Sequence, residues 1–199
     1  MRPSRLSCAA AMSAVVLAFA VPALAQETSP QNNAEMAAIF AADQAIRQVA
    51  PEKFRDRAFV NEMLAADAAR RVQTRALLDA GALRTGEDYR AAAFVFQHGS
   101  TPEDYLLAHT LAVAATARGA DGSWIAAATL DRYLQMIGKS QIYGTQTRKT
   151  NDAPATLEPY DRALIPDSLR TALAVPPQAD QDARLAAVNA AAEAATPKP

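Results

Sequence analysis

The sequence predicts a mainly α-helical fold: a single antiparallel helical domain with a short loop or β-hairpin insert near residues 139–160. Three observations carry this. Apolar residues recur at helical spacing along most of the chain. Start signals such as "TGED" and "TPED" are followed by glycine stops one helix length later. Strand-like alternation is confined to one polar stretch after Gly138.

In chain order, Arg2 and Arg5 precede an apolar run from Ala9 to Ala20, and "ALA" at residues 23–25 closes it. This is the order of a secretory signal peptide, with cleavage expected after Ala25 and a periplasmic or secreted product. The run is shorter than the roughly 20 apolar residues a membrane span needs, so no stable membrane insertion is expected. Residues 26–33 are polar and read as a flexible N-terminus. A helical domain is expected over 34–176, and a loosely held helical tail over 177–199.

Within the domain, Met36, Ile39, Ala42, Ile46 and Val49 form a helical stripe that Pro51 stops. A second helix is expected from Pro51 or Arg57 to Asp79, with Gly81 as its cap. Thr85 followed by Asp88 resembles a capping box and opens a helix that ends near Gln97. Thr101 and Pro102 open another, from 102 to 118, and a further helix spans 123–137 before Gly138. "PDSLRTALAV" is one more short helix, halted by Pro176 and Pro177.

Composition excludes several classes of function. Cys8 lies ahead of the cleavage point, so the mature chain has no cysteine, and disulfides, thiolate catalysis and cysteine-ligated metals are ruled out. Removing Arg2 and Arg5 leaves 18 basic against 21 acidic residues, a net charge of −3 without a basic patch. Nucleic acid is therefore not an expected partner. No phosphate loop, nucleophile elbow or H-E-x-x-H pair is present, and neither a metal nor a cofactor is expected.

The residues that could carry chemistry are few. His98, beside Gln97, sits at a helix C-terminus, where an imidazolium would be attracted by the helix dipole. His109, in the helix 102–118, faces Asp131 if the next helix returns antiparallel about residue 120. Asp131 and Arg132 are about 100° apart on their helix and cannot pair with each other, so each needs a partner elsewhere. Asp43 and Arg47 read as an exposed (i, i+4) pair worth about 0.2–0.5 kcal/mol. Glu62, Asp67, Arg70, Arg71 and Arg75 read as a solvated face. In "QIYGTQ", Gln141, Tyr143 and Gln146 offer amide, ring and hydroxyl groups, and the segment is expected to double back over Asp131 and Arg132.

"DQAIR", "DYRAAAFVFQHGSTPEDYLLAHTLAVAA", "LDRYLQMIGKSQIYGTQ" and "IPDSLRTALAVP" together resemble a family of bacterial proteins, many of them exported, grouped as a domain of unknown function. The resemblance covers roughly residues 36–176 and implies an α-helical domain without a known reaction. Its motif positions fall on Asp43, Gln44, Arg47, Gln97, His98, Asp131, Arg132, Gln141, Gly144, Thr145 and Gln146.

Two uses of these residues compete. One is a non-enzymatic module that binds a peptide, protein or cell-envelope component through Gln97, His98, Asp131, Arg132, Gln141, Tyr143 and Gln146. The alternative is a small hydrolase-like enzyme with His98 or His109 as base, Asp131 orienting it, and Arg132 stabilising an oxyanion. A purely structural envelope protein is a third possibility.

Overall fold

Asn33 starts the first helix by accepting the amide of Met36 at 2.9 Å, while its own backbone N–H donates to Asp88, 55 residues away. A computed structural model describes residues 30–150 and 153–194; the expected signal peptide and its cleavage site lie outside them. Helix α1 spans Ala34–Ala45, a 3₁₀ turn follows at Pro51–Arg55, and α2 covers Arg57–Asp79. Then come α3 (Gly86–Phe96), α4 (Pro102–Ala117), α5 (Ser123–Met136), α6 (Asp167–Ala172) and α7 (Gln178–Ala194).

The central three helices follow their predicted signals to within a residue. Thr85 and Asp88 close a full capping box at the start of α3. Asp88 also accepts the amide of Arg84. Burial alone would raise its pKa, but the backbone donors of Arg84, Asn33 and Thr85 outweigh that and hold the carboxyl below its ordinary value. Thr101 caps α4 and Pro102 occupies its first turn. Gly81, Gly119 and Gly138, at the expected stops, all take positive φ.

Packing is mainly α3 on α4 and α4 on α5, with α1 and α2 against α3. The buried positions explain the alanine content: Ala91, Ala92 and Ala93 of α3 meet a core that includes Ala108 and Ala112 of α4. Small side chains let helix backbones approach closely. Met36, Val95, Phe96, Leu111 and Ile125 supply the larger apolar volume, each worth about 1.5–3 kcal/mol when fully buried.

The result is a single helical domain with no sheet among the described residues. The hairpin expected near 139–160 is not formed as a ladder among the described residues; the pairings seen there are isolated bridges, Arg148 with Thr156 and Gln141 with Tyr160. Side chains take up other backbone amides of the segment, those of Ile142, Tyr143, Thr145 and Gln146 among them. The tail, expected to be loosely held, contains α7, whose Asn189 exchanges two hydrogen bonds with the backbone of Ala155 and whose Gln181 is buried. No helix among the described residues is long and apolar enough to cross a membrane.

Candidate functional site

Asp131 of α5 is fully buried and is the anchor of the loop after Gly138. Its Oδ1 accepts the backbone amides of Ile142 (2.8 Å) and Tyr143 (3.0 Å). Its Oδ2 accepts the amide of Thr145 (2.9 Å) and the Thr145 hydroxyl (2.7 Å). Four donors on one carboxylate offset the desolvation of its charge. Gly144 makes the turn that aims them, with φ +77°.

The two glutamines of "QIYGTQ" close the loop on itself and on α5. Gln141 accepts the amide of Gln146 and donates to the carbonyls of Gln146 and Leu157. Gln146 donates to Ala128 of α5 and to the Thr145 hydroxyl. Behind this clasp lies a second polar layer. The Tyr160 hydroxyl accepts from the buried Arg170, and Gln181 donates to the Tyr143 carbonyl at 2.8 Å. Burial pushes the Tyr160 phenol up, against the lowering effect of Arg170. Burial also raises Tyr143, with the Asp131 charge adding to it.

A second polar cluster joins α1 to α2. Arg47 bridges Asp43 (3.0 Å) and Asp67 (2.7 Å), Arg70 binds Asp67, and Gln44 donates to Asp43. Asp43 is 1% exposed and Asp67 3%. The reading of Asp43–Arg47 as an exposed pair, and of Asp67 and Arg70 as part of a solvated face, is thereby overturned. Residues 67, 70 and 74 share one side of α2, and that side is turned inward, whereas Leu64 and Val72 face solvent. Two carboxylates and two guanidinium groups neutralise one another, which makes burial tolerable. Burial still raises Asp43 above the usual carboxylate value, although Arg47 opposes it.

His98 borders this cluster, with Nε2 3.6 Å from Asp43 and 3.4 Å from the Gln97 amide. Burial, then the charge of Arg47, lowers its pKa to about 3. At neutral pH it is a neutral imidazole, so the expected attraction of an imidazolium to the helix dipole is absent. The predicted pairing of His109 with Asp131 is also absent. His109 Nδ1 lies 2.9 Å from the Ala126 carbonyl, five residues short of Asp131 along α5 (131 − 126), and the Asp131 oxygens belong to the loop. His109 thus meets α5 nearer its start than a turn centred on residue 120 implies.

Arg132, next to Asp131, faces the other way. Its guanidinium lies 5.9 Å from the centre of the Tyr105 ring. Among the described residues it has no ion pair and no hydrogen bond, and its Nε is buried without a partner. Gln135, one turn on, likewise holds a buried Nε2 without a partner. Both line a cleft of about 290 Å³ with Tyr105, Met136, Gln146, Thr147 and Arg148. Arg132 is also close enough to His98 for its charge to contribute to the lowering of that imidazole.

The predicted site residues thus divide. Asp131, Gln141, Tyr143 and Gln146 build the clasp; Gln97 and His98 border the charge cluster; Arg132 and Gln146 reach the cleft; His109 stands apart. Sequence reasoning missed Gln135, Tyr105 and Arg148 in the cleft, and Arg170 and Gln181 behind the clasp. Gln135 was within reach, because it lies three residues after Arg132 and shares its side of the helix. Among the described residues, no group of three or more His, Asp or Glu side chains gathers as a metal site. No protein-family model matches the chain, and neither a curated protein nor a solved structure matches it.

Proposed function

We propose that this is an exported binding module, a member of the bacterial family its motifs resemble, which holds a peptide, protein or cell-envelope component in the cleft on α5. The observation that carries this reading is Arg132: a partly buried guanidinium that binds no carboxylate, carbonyl or hydroxyl among the described residues. Buried charges are otherwise paired, and Asp131, its neighbour, is fully satisfied. The wall of the cleft is Gln146, fixed to α5 through Ala128, so the loop is shaped before any ligand arrives.

The hydrolase-like alternative has less support. A histidine with a pKa near 3 is a weak base at neutral pH. Neither His98 nor His109 is oriented by Asp131, whose oxygens are taken by the loop.

In-cell photo-crosslinking tests the reading. A benzophenone side chain replaces Met136, at the cleft and 44% exposed, or Val113 of α4, 50% exposed and away from it. A discrete adduct from position 136 and none from 113 is the expected result. Equal yields at both positions, or none at 136, would sink it. Fractionation of the same cells, with a mature N-terminus at Gln26 by mass spectrometry, tests export.

A further inference from the structure

We propose that the cleft takes a ligand bearing a carboxylate, seated on Arg132 and Gln135, with an apolar group beside Tyr105 and Met136. This deepens, and rests on, the reading of the cleft as a binding site. The chemistry is one-sided. Of the four buried side-chain atoms without a hydrogen-bond partner among the described residues, the two in the cleft, Arg132 Nε and Gln135 Nε2, are both donors. Arg148 adds a second positive charge to the lining, and no carboxylate among the described residues lines the cleft. A ligand group that satisfies this set accepts hydrogen bonds and carries negative charge.

Shape narrows the class further. The Nε edge of a guanidinium presents two parallel N–H donors that match the two oxygens of a planar carboxylate. Arg132 is also steadied by the Tyr105 ring, which reduces the freedom lost on binding. The Tyr105 hydroxyl is committed to the Gly99 carbonyl at 2.8 Å, so it contributes its ring to the cleft. Met136 extends the apolar surface. A phosphate dianion would ask for more fixed donors than the Arg132 edge and the Gln135 amide provide, with Arg148 adding charge at the lining. At about 290 Å³ the cleft suits a side-chain-sized organic acid or the end of a longer chain, not a folded surface.

The test uses three probes against the ¹⁵N-labelled protein: phenylacetate, its neutral isostere phenylacetamide, and inorganic phosphate. The side-chain N–H signals of Arg132 and Gln135 report directly on the two donors. Phenylacetate is expected to move both signals saturably. Phenylacetamide should bind about tenfold more weakly, the loss of one hydrogen bond between charged groups, and phosphate more weakly than phenylacetate. Arg132→Gln should abolish the phenylacetate response, whereas Arg148→Ala should weaken it and lower its salt dependence.

Equal binding of acid and amide overturns the carboxylate assignment and leaves the binding site standing. Phosphate binding in preference to phenylacetate overturns it in favour of a phosphate ligand. If no probe moves either signal, the carboxylate assignment falls, while the wider reading still answers to the crosslinking at position 136. A melting curve for each variant shows that a lost response is not lost folding.

Discussion

Asp131 and Arg132 are neighbours on α5, and they end in opposite circumstances. The carboxylate meets four donors from one loop and is fully buried. The guanidinium, a turn of about 100° away, meets a tyrosine ring and an open cleft. The same helix therefore carries a finished structural joint on one side and an unfinished polar set on the other. A charge that the fold has satisfied speaks of stability; a charge that the fold has left unsatisfied speaks of a ligand. The α1–α2 cluster belongs to the first kind, since Asp43, Arg47, Asp67 and Arg70 close on one another as ion pairs; even Arg70 Nε, which makes no hydrogen bond, has the Asp43 carboxylate 3.5 Å away.

The largest expected effect breaks the finished side. Asp131→Ala removes the acceptor for three backbone amides and one hydroxyl inside the protein. Leaving such donors buried and unpaired should lower stability by about 3–5 kcal/mol, at the upper end for a single site. In a domain of this size that lowers the melting temperature by on the order of 10 °C. Thermal melting by circular dichroism measures it, and a loss below about 1 kcal/mol would mean that the loop is held by Gln141 and Tyr160 instead.

Gly144→Val comes next. A Cβ at this position would lie 2.1 Å from the Gln181 side-chain oxygen and 2.7 Å from the Tyr160 ring, on a backbone with φ +77°. The strain of that φ and the overlap should together cost about 1–3 kcal/mol. Urea denaturation is the measurement. Because Gln181 lies on α7, the variant should also loosen α7, seen as faster amide exchange over 178–194 than over α4.

His98 stands between the two sides, and pH tests it. Its folded pKa, about 3, lies below the ordinary value of 6.5. Above pH 6.5 neither the folded nor the unfolded chain holds its proton, and stability is complete. Between pH 6.5 and about 3 the unfolded chain takes up a proton that the folded chain refuses, so stability falls as pH falls. At about 1.4 kcal/mol per pKa unit, moving from pH 7 to pH 5 should lose about 1–2 kcal/mol, and His98→Gln should remove that slope. Asp43, whose pKa is raised, acts with the opposite sign and at lower pH: it takes a proton in the folded protein before it does in the unfolded one. A melting temperature independent of pH over 5–7 would show that His98 is solvated.

What was legible in the sequence follows from how local the cause is. Caps and stops are decided within four or five residues, so "TGED", "TPED" and the glycines placed α3, α4 and α5 almost to the residue. Gly144 was legible for the same reason, as a glycine between polar residues in a tight loop. The side of α2 that faces inward was not. Its buried residues include Asp67, Arg70 and Thr74, and the approach of Asp43 from α1 and of Arg47 just past its end makes the two charged positions tolerable. A helical stripe that is polar because another stripe neutralises it looks, in sequence, like a solvated one. The His109 register failed similarly, since how α4 and α5 meet depends on contacts such as the close approach of Gly122 to the Ala112 carbonyl and not on the midpoint of the loop.

The smallest expected effect is the most discriminating one. Arg132→Gln keeps a polar side chain of moderate length and removes a charge that has neither an ion pair nor a hydrogen bond among the described residues. If Arg132 were structural, its loss would resemble that of Asp131 and cost several kcal/mol. If it is held ready for a ligand, the folded protein gives up only its contact with Tyr105, worth about 0.5–1 kcal/mol at a partly exposed position. Relief from burying an unpaired Nε offsets that loss. The melting temperature should therefore stay within about 2 °C of the parent, a free-energy change within about 0.5 kcal/mol. Side by side, Asp131→Ala and Arg132→Gln alter adjacent residues of one helix, and only the first should be felt by the fold. A drop for Arg132→Gln comparable to that for Asp131→Ala would erase the distinction between the two sides of α5, and with it the case for a binding site there.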